Sequence, residues 1–133
     1  MGLDVGDKKI GVAISDSLLL TAQGRPTIAR KTLEFDLERL ASLARDNEVT
    51  ELVVGKPVHM DGRESPQSRK IRRFALRLSK TLGLPVTFWD ERLTSFAAEQ
   101  HLEDLGLNWR KRREQVDKIA AMFILQSYLD SRR

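Results

Sequence analysis

The stretch Gly2-Leu3-Asp4-Val5-Gly6-Asp7-Lys8-Lys9-Ile10-Gly11-Val12-Ala13-Ile14-Ser15 reads as a β-hairpin. Gly2 to Val5 makes a short strand, Gly6-Asp7-Lys8-Lys9 a turn, and the alternation from Ile10 to Ser15 a returning strand. Asp4 stands out within it. An ionised carboxylate between Leu3 and Val5 is costly unless something compensates it, and a metal ion would do so.

Outward from the hairpin, a weaker third strand is expected around Thr27-Ile28, after Pro26. Leu37, Leu40, Ala41 and Ala44 repeat at helical spacing between Glu34 and Asn47. Leu52-Val53-Val54 is a short buried strand closed by Gly55-Lys56-Pro57. Ser65-Pro66 opens a second helix as N-cap and first-turn proline, with a stripe of Ile71, Phe74, Ala75, Leu78 and Leu82. Gly83 ends it. Pro85 to Trp89 is the next strand, reaching Asp90-Glu91, and Thr94 or Ser95 caps a further helix that stops at Gly106. A basic loop then leads into a long helix from Gln115 to Asp130, apolar on most sides and expected to lie against the sheet. The order gives an α/β fold: a mixed sheet, an antiparallel hairpin plus parallel strands, flanked by helices on both faces. With no repeat or linker, residues 1–133 are expected to form a single domain.

Composition narrows the function. No apolar run reaches the roughly 20 residues of a membrane helix, and the start lacks the basic-then-apolar pattern of a secretory signal. There is no cysteine, which excludes disulfides and thiolate catalysis, and His59 and His101 alone disfavour a His-rich zinc site. A cytoplasmic protein without membrane contact is expected. The pI is about 9.7, with 23 basic residues against 19 acidic. Two runs gather the cations, Arg69-Lys70-Ile71-Arg72-Arg73 and Arg110-Lys111-Arg112-Arg113, a pattern that suits a polyanion. Nucleic-acid contact is assigned to Arg69, Lys70 and Arg73 on the outward side of the second helix. Arg110, Lys111, Arg112 and Arg113 share that role from the loop before the last helix, as do Lys8, Lys56 and Arg92 beside the candidate acids. Trp109 reads as a packed loop anchor, with base stacking as its alternative. The plainer reading of both runs is a solvated basic face.

Three carboxylates fall at element ends, which converge on one sheet edge. Asp4 is at or near the end of the first strand, and Glu91 directly follows an apolar strand, at the edge where α/β proteins bind ligands. Asp117 falls in the expected first turn of the most hydrophobic helix. Each also has a purely structural reading: a cap for the turn through Asp7, a partner for Arg92 or a lysine, and an acid favoured by the helix dipole. Asp36, Glu38, Asp46, Glu103 and Asp104 read as solvated acids on polar helix faces. Three acids without His or Cys suit Mg²⁺ or Mn²⁺, and a pair of such ions can activate water and stabilise the leaving oxygen in phosphodiester cleavage.

Four blocks also carry a family likeness: Gly2 to Asp16; Val54-Gly55-Lys56-Pro57 with Met60-Asp61-Gly62; Asp90-Glu91-Arg92-Leu93-Thr94-Ser95; and Val116-Asp117-Lys118-Ile119-Ala120-Ala121 with Leu125-Gln126-Ser127-Tyr128-Leu129. In order and over nearly the whole chain, they resemble the YqgF/RuvX family. The resemblance implies an RNase H-like fold and a metal-dependent nuclease whose catalytic and metal-binding residues are Asp4, Glu91 and Asp117. It implies a nucleic-acid substrate: structured RNA in 5′-end maturation of pre-16S rRNA or, alternatively, branched DNA for a Holliday junction resolvase. Either a monomer or a homodimer is compatible with it.

Three features depart from the family pattern. Lys56 stands where an apolar residue is usual, His59 where Asn is common, and the family carries a few more residues before Gly2. A first strand this short is expected to pair poorly. Two other classes compete with the nuclease. An actin-like ATP-binding domain would need a second phosphate-binding hairpin and an adenosine loop, which 133 residues do not supply. A catalytically idle nucleic-acid-binding module is separated from a nuclease by a cleavage assay.

Overall fold

A computed structural model describes residues 1–57, 63–90 and 109–132, with the backbone alone over 109–118. Its elements are β1 (Gly2–Val5), β2 (Lys9–Ser15), β3 (Ala22–Ala29), α1 (Leu33–Asp46), β4 (Leu52–Lys56), α2 (Pro66–Leu82), β5 (Val86–Asp90) and α3 (Trp109–Ser131). The strands make one mixed sheet in the order β3-β2-β1-β4-β5. β2 is antiparallel to both β1 and β3, while β4 is parallel to both β1 and β5. The helix expected between Thr94 and Gly106 lies outside the described residues.

β1 is short yet central. All four of its residues pair with β2, and Gly2 and Leu3 also pair with β4. The expectation of poor pairing is overturned, because a strand held from both sides does not depend on its own length. β3 is far longer than the Thr27-Ile28 pair anticipated for it. Only Ile28 of this strand is buried, so its sequence has no alternation to read, and pairing with β2 creates it. Ile10 faces Ile28 and Val12 faces Arg25, so the register slips across Pro26, which has no N–H to give to the ladder.

Side chains alternate across the sheet. Met1, Leu3, Val5, Ile10, Val12 and Ile14 pack under α1 and α2, against Leu37, Leu40, Ile71, Phe74 and Leu78. Ala13 and Val53 lie on the other face, under Ala121, Ile124, Leu125, Tyr128 and Leu129 of α3. Helices thus cover both faces. Their local signals are plain for α1 and α2. The Thr32 hydroxyl accepts from Phe35 N–H at the start of α1. Ser65 does the same for Ser68 N–H ahead of Pro66, and Gly83 closes α2 at φ 68°, in the left-handed region.

α3 differs from its sequence reading at the start. It begins at Trp109 rather than Gln115, so the run Arg110 to Arg113 is helical and not a loop. Arg and Lys are good helix formers, but a run of cations carries no apolar periodicity to announce them. Asp117 accordingly lies about two turns inside the helix rather than in its first turn, beyond the reach of the N-terminal dipole. No helix among the described residues is long and apolar enough to cross a membrane.

Candidate active site

Asp4 is the third residue of β1, half-buried, opposite Gly11 of β2. Alternation gives it the face of Gly2, toward α3. There the helix passes very close: a Cβ on Gly2 would sit 2.7 Å from Leu125 Cβ and 3.1 Å from the Ala121 carbonyl oxygen. Only a hydrogen fits.

The far half of α3 fixes its direction. The Gln126 amide accepts from Ala22 N–H at 2.8 Å and donates to the Leu20 carbonyl at 2.9 Å. The Tyr128 hydroxyl donates to the Glu51 carboxylate, just before β4. Ala22 pairs with Ser15, so both anchors are at the edge where β1 and β4 begin. The earlier residues of α3 therefore lie toward the edge where β1, β4 and β5 end. Position 117 precedes Ala121 by one turn, about 6 Å along the axis. Asp4 is two residues past Gly2, roughly 6.6 Å along the strand. Asp4 and the helix position of Asp117 thus share one face and one end of the sheet. β5 ends there too, with Asp90 opposite Lys56.

Of the three candidate acids, only Asp4 has a described side chain, and among described side chains no three His, Cys, Asp or Glu gather as metal ligands. Glu91, Arg92 and His59 lie outside the described residues, as do the side chains of Asp117, Trp109 and Arg110, Lys111, Arg112 and Arg113.

A cleft of about 260 Å³ opens beside the end of β1, lined by Gly6 and Asp7 of the turn, Arg30, and Gln67, Lys70, Arg73 and Phe74 of α2. Lys70 and Arg73 are exposed, as is Lys8 on the turn. Arg30 is fixed: it donates to Asp36 Oδ2 at 3.1 Å and to the Gly6 carbonyl at 2.9 Å, and its guanidinium lies 4.8 Å from the centre of the Phe74 ring. Asp36 also accepts from Lys31 N–H at 3.0 Å and is 1% exposed. Its reading as a solvated surface acid is therefore wrong. It is a buried ion-pair partner that ties α1 to the β1–β2 turn through Arg30. Its position next to Leu37, in the first turn after the Thr32 cap, was the one available hint.

Sequence reasoning also missed Glu64. Its Oε1 lies 2.8 Å from Arg72 Nε and 3.1 Å from Lys56 Nζ, and its Oε2 accepts from Arg72 Nη2 at 3.1 Å. Arg69 Nε is 3.9 Å away. The hydrogen bonds from Arg72 and Lys56 hold the Glu64 carboxyl well below the usual carboxylate range, at about 2. Lys56 also lies 5.2 Å from the centre of the Phe88 ring.

Comparison with known proteins sets this geometry in context. The family model RuvX, described as Holliday junction resolvase, matches residues 1–131. A Myxococcus xanthus protein named "Putative pre-16S rRNA nuclease" is 49% identical over 133 residues, spanning 100% of this chain and 88% of the relative. A Moorella thermoacetica protein of the same name is 52% identical over 130 residues, spanning 98% and 93%. Among solved structures, T. thermophilus RuvC in complex with a Holliday junction substrate superposes with a TM-score of 0.60 at 17% identity. The match covers 98% of this chain and 92% of that one. That likeness is one of fold, and the observed fold is the expected RNase H-like one.

Proposed function

The chain belongs to the RuvX family, and from that premise we propose that it is a metal-dependent nuclease hydrolysing phosphodiester bonds in the 5′-end maturation of pre-16S rRNA. One observation carries the site: α3 runs back along β1, so that helix position 117 and Asp4 share a face at one end of the sheet. Asp4, Glu91 and Asp117 are the catalytic acids and would hold Mg²⁺ or Mn²⁺. They are hard oxygen donors, the kind these ions prefer, and Asp4 is half-buried on β1. When bound, such ions activate water and stabilise the leaving oxygen. β1 carries Asp4, the last helix carries position 117, and the chain's basic side chains orient the substrate strand. Lys70 and Arg73 at the cleft, with Lys8, Arg92 and Arg110 to Arg113, bind backbone phosphates, which sets register without reading sequence. The protein acts in the cytoplasm.

The test is cleavage of a pre-16S leader transcript and a synthetic four-way DNA junction in parallel, with the wild type and Asp4→Asn. Leader cleavage is expected, leaving a 5′-phosphate and a 3′-hydroxyl, and the variant should lack it. A 2′,3′-cyclic phosphate would mean attack by the RNA's own hydroxyl. A cut junction beside an intact leader would move the substrate to branched DNA, the reading the family description favours, and would call for a homodimer to cut two symmetric strands. Inert wild-type protein would leave the idle binding module.

A further inference from the structure

The basic run of α2 is not a single row of cations. Residues three apart share a helix side, so Arg69 pairs with Arg72 and Lys70 with Arg73. The second pair lines the cleft beside β1. The first pair turns to Glu64, together with Lys56 from the end of β4. Among the described residues, the Glu64 carboxylate thus faces three cations. The cluster sits at the carboxyl edge of the sheet, since Lys56 is in register with Asp90, the residue before Glu91.

Partly exposed ion pairs contribute little to a fold, especially at physiological salt. The arrangement has another property. Arg72 presents two N–H groups side by side to two carboxylate oxygens, the geometry that also suits the two free oxygens of a phosphodiester. The Glu64, Arg72 and Arg69 side chains are 26%, 40% and 50% exposed, so a phosphate can reach them without unfolding anything. Glu64 precedes the Ser65 cap and lies outside α2, so it can swing away at no cost to the helix. The amino end of α2 also favours an incoming anion.

We propose that Lys56, Arg69 and Arg72 form a binding site for one backbone phosphodiester of the substrate strand, and that Glu64 occupies this site in the free protein and yields it on binding. This rests on the nuclease reading. Glu64 acts as a placeholder: it keeps the fork assembled, and it makes every strand compete for the site.

The experiment measures affinity against salt for a short labelled RNA and a four-way DNA junction, without divalent ions so that neither is cut. Glu64→Gln should bind roughly threefold tighter at low salt, because the phosphate no longer has to displace a carboxylate. Glu38→Gln makes the same change in net charge on the exposed side of α1 and should gain much less. Adding Arg72→Gln to Glu64→Gln should erase the gain. Thermal melts of all variants identify any that lose their fold, and the comparison of Glu64→Gln with the double variant stands within one background. Unchanged or weaker binding by Glu64→Gln, or an equal gain in Glu38→Gln, would overturn the placeholder while leaving the nuclease reading intact. A wild type that binds neither nucleic acid at any salt would overturn both.

Discussion

Leu3, Val12, Leu40 and Leu78 fill the sheet face under α1 and α2, and each is fully buried. The face under α3 is different. Its closest approach is made by Gly2, Ala13 and Ala121, where the helix nearly touches the strand backbone. Two helices over large side chains give one face volume. The other face is closed by the single helix α3 through Ile124, Leu125, Tyr128 and Leu129, and it is also held by specific anchors, the Gln126 amide, the Tyr128 hydroxyl and the Trp89 indole, which donates to Ser127 Oγ at 3.1 Å. The first face stores stability, and the second fixes where a helix ends up. Asp4 faces the second.

The largest effects should come from the proposed catalytic acids. Asp4→Asn and Asp117→Asn, together with Glu91→Gln, should drop cleavage to background while the fold persists, because each keeps the shape of the side chain and loses its charge. Thermal melts without metal should be unchanged or raised, since carboxylate repulsion is relieved. Normal cutting by Asp117→Asn in Mg²⁺ would remove that residue from the site and with it the functional half of the contrast.

Truncation on the other face should do the opposite. Leu40→Ala or Leu78→Ala should cost about 2–5 kcal/mol in urea unfolding, with cleavage by the remaining folded protein nearly unchanged. Equal losses of activity would mean the two faces are not separable. Gly2→Ala sharpens the comparison, because it inserts one methyl where 2.7 Å is available. About 1–3 kcal/mol should be lost, with a fall in cleavage beyond what unfolding explains, because α3 must shift. A stable and fully active Gly2→Ala would show that the helix has room to retreat.

The smallest effect concerns pH. The Glu64 carboxyl lies near 2 in the folded chain, against an ordinary value of 4.5. Its pairing therefore adds stability above the ordinary value and loses it as pH falls toward 2. The urea midpoint should fall slightly more for wild type than for Glu64→Gln between about pH 5 and pH 2, and less so in high salt. Parallel curves would mean that the cluster does not stabilise the fold.

Much of this was legible from short-range signals. The hairpin of Gly2 to Ser15 and the Ser65, Pro66 and Gly83 boundaries of α2 are set by residues adjacent in sequence. What escaped depends on residues brought together only by folding. β3 carries one buried side chain and owes its length to β2. Asp36 looked solvated because its partner Arg30 lies before the helix, off any periodic stripe. Glu64 meets Lys56 across the end of β4, and nothing in the sequence spacing marks that encounter. The proposed site is similar: motif resemblance named its candidate acids, and the close packing at Gly2 gave the physical reason why position 117 and Asp4 share an end.

The register slip in β3 bears on how the molecule behaves in a crowd. Among the described strands, β3 is the outermost, beside β2. A straight outer strand offers a full row of N–H and C=O groups, a template on which other chains can extend the sheet and grow into aggregates. Here the row is broken, because Pro26 has no N–H and the strand bends where two of its residues oppose one of β2. A foreign strand docking on this side would leave its own hydrogen bonds unmade at the break. The slip at Pro26 is thus a guard against fibril growth from this edge.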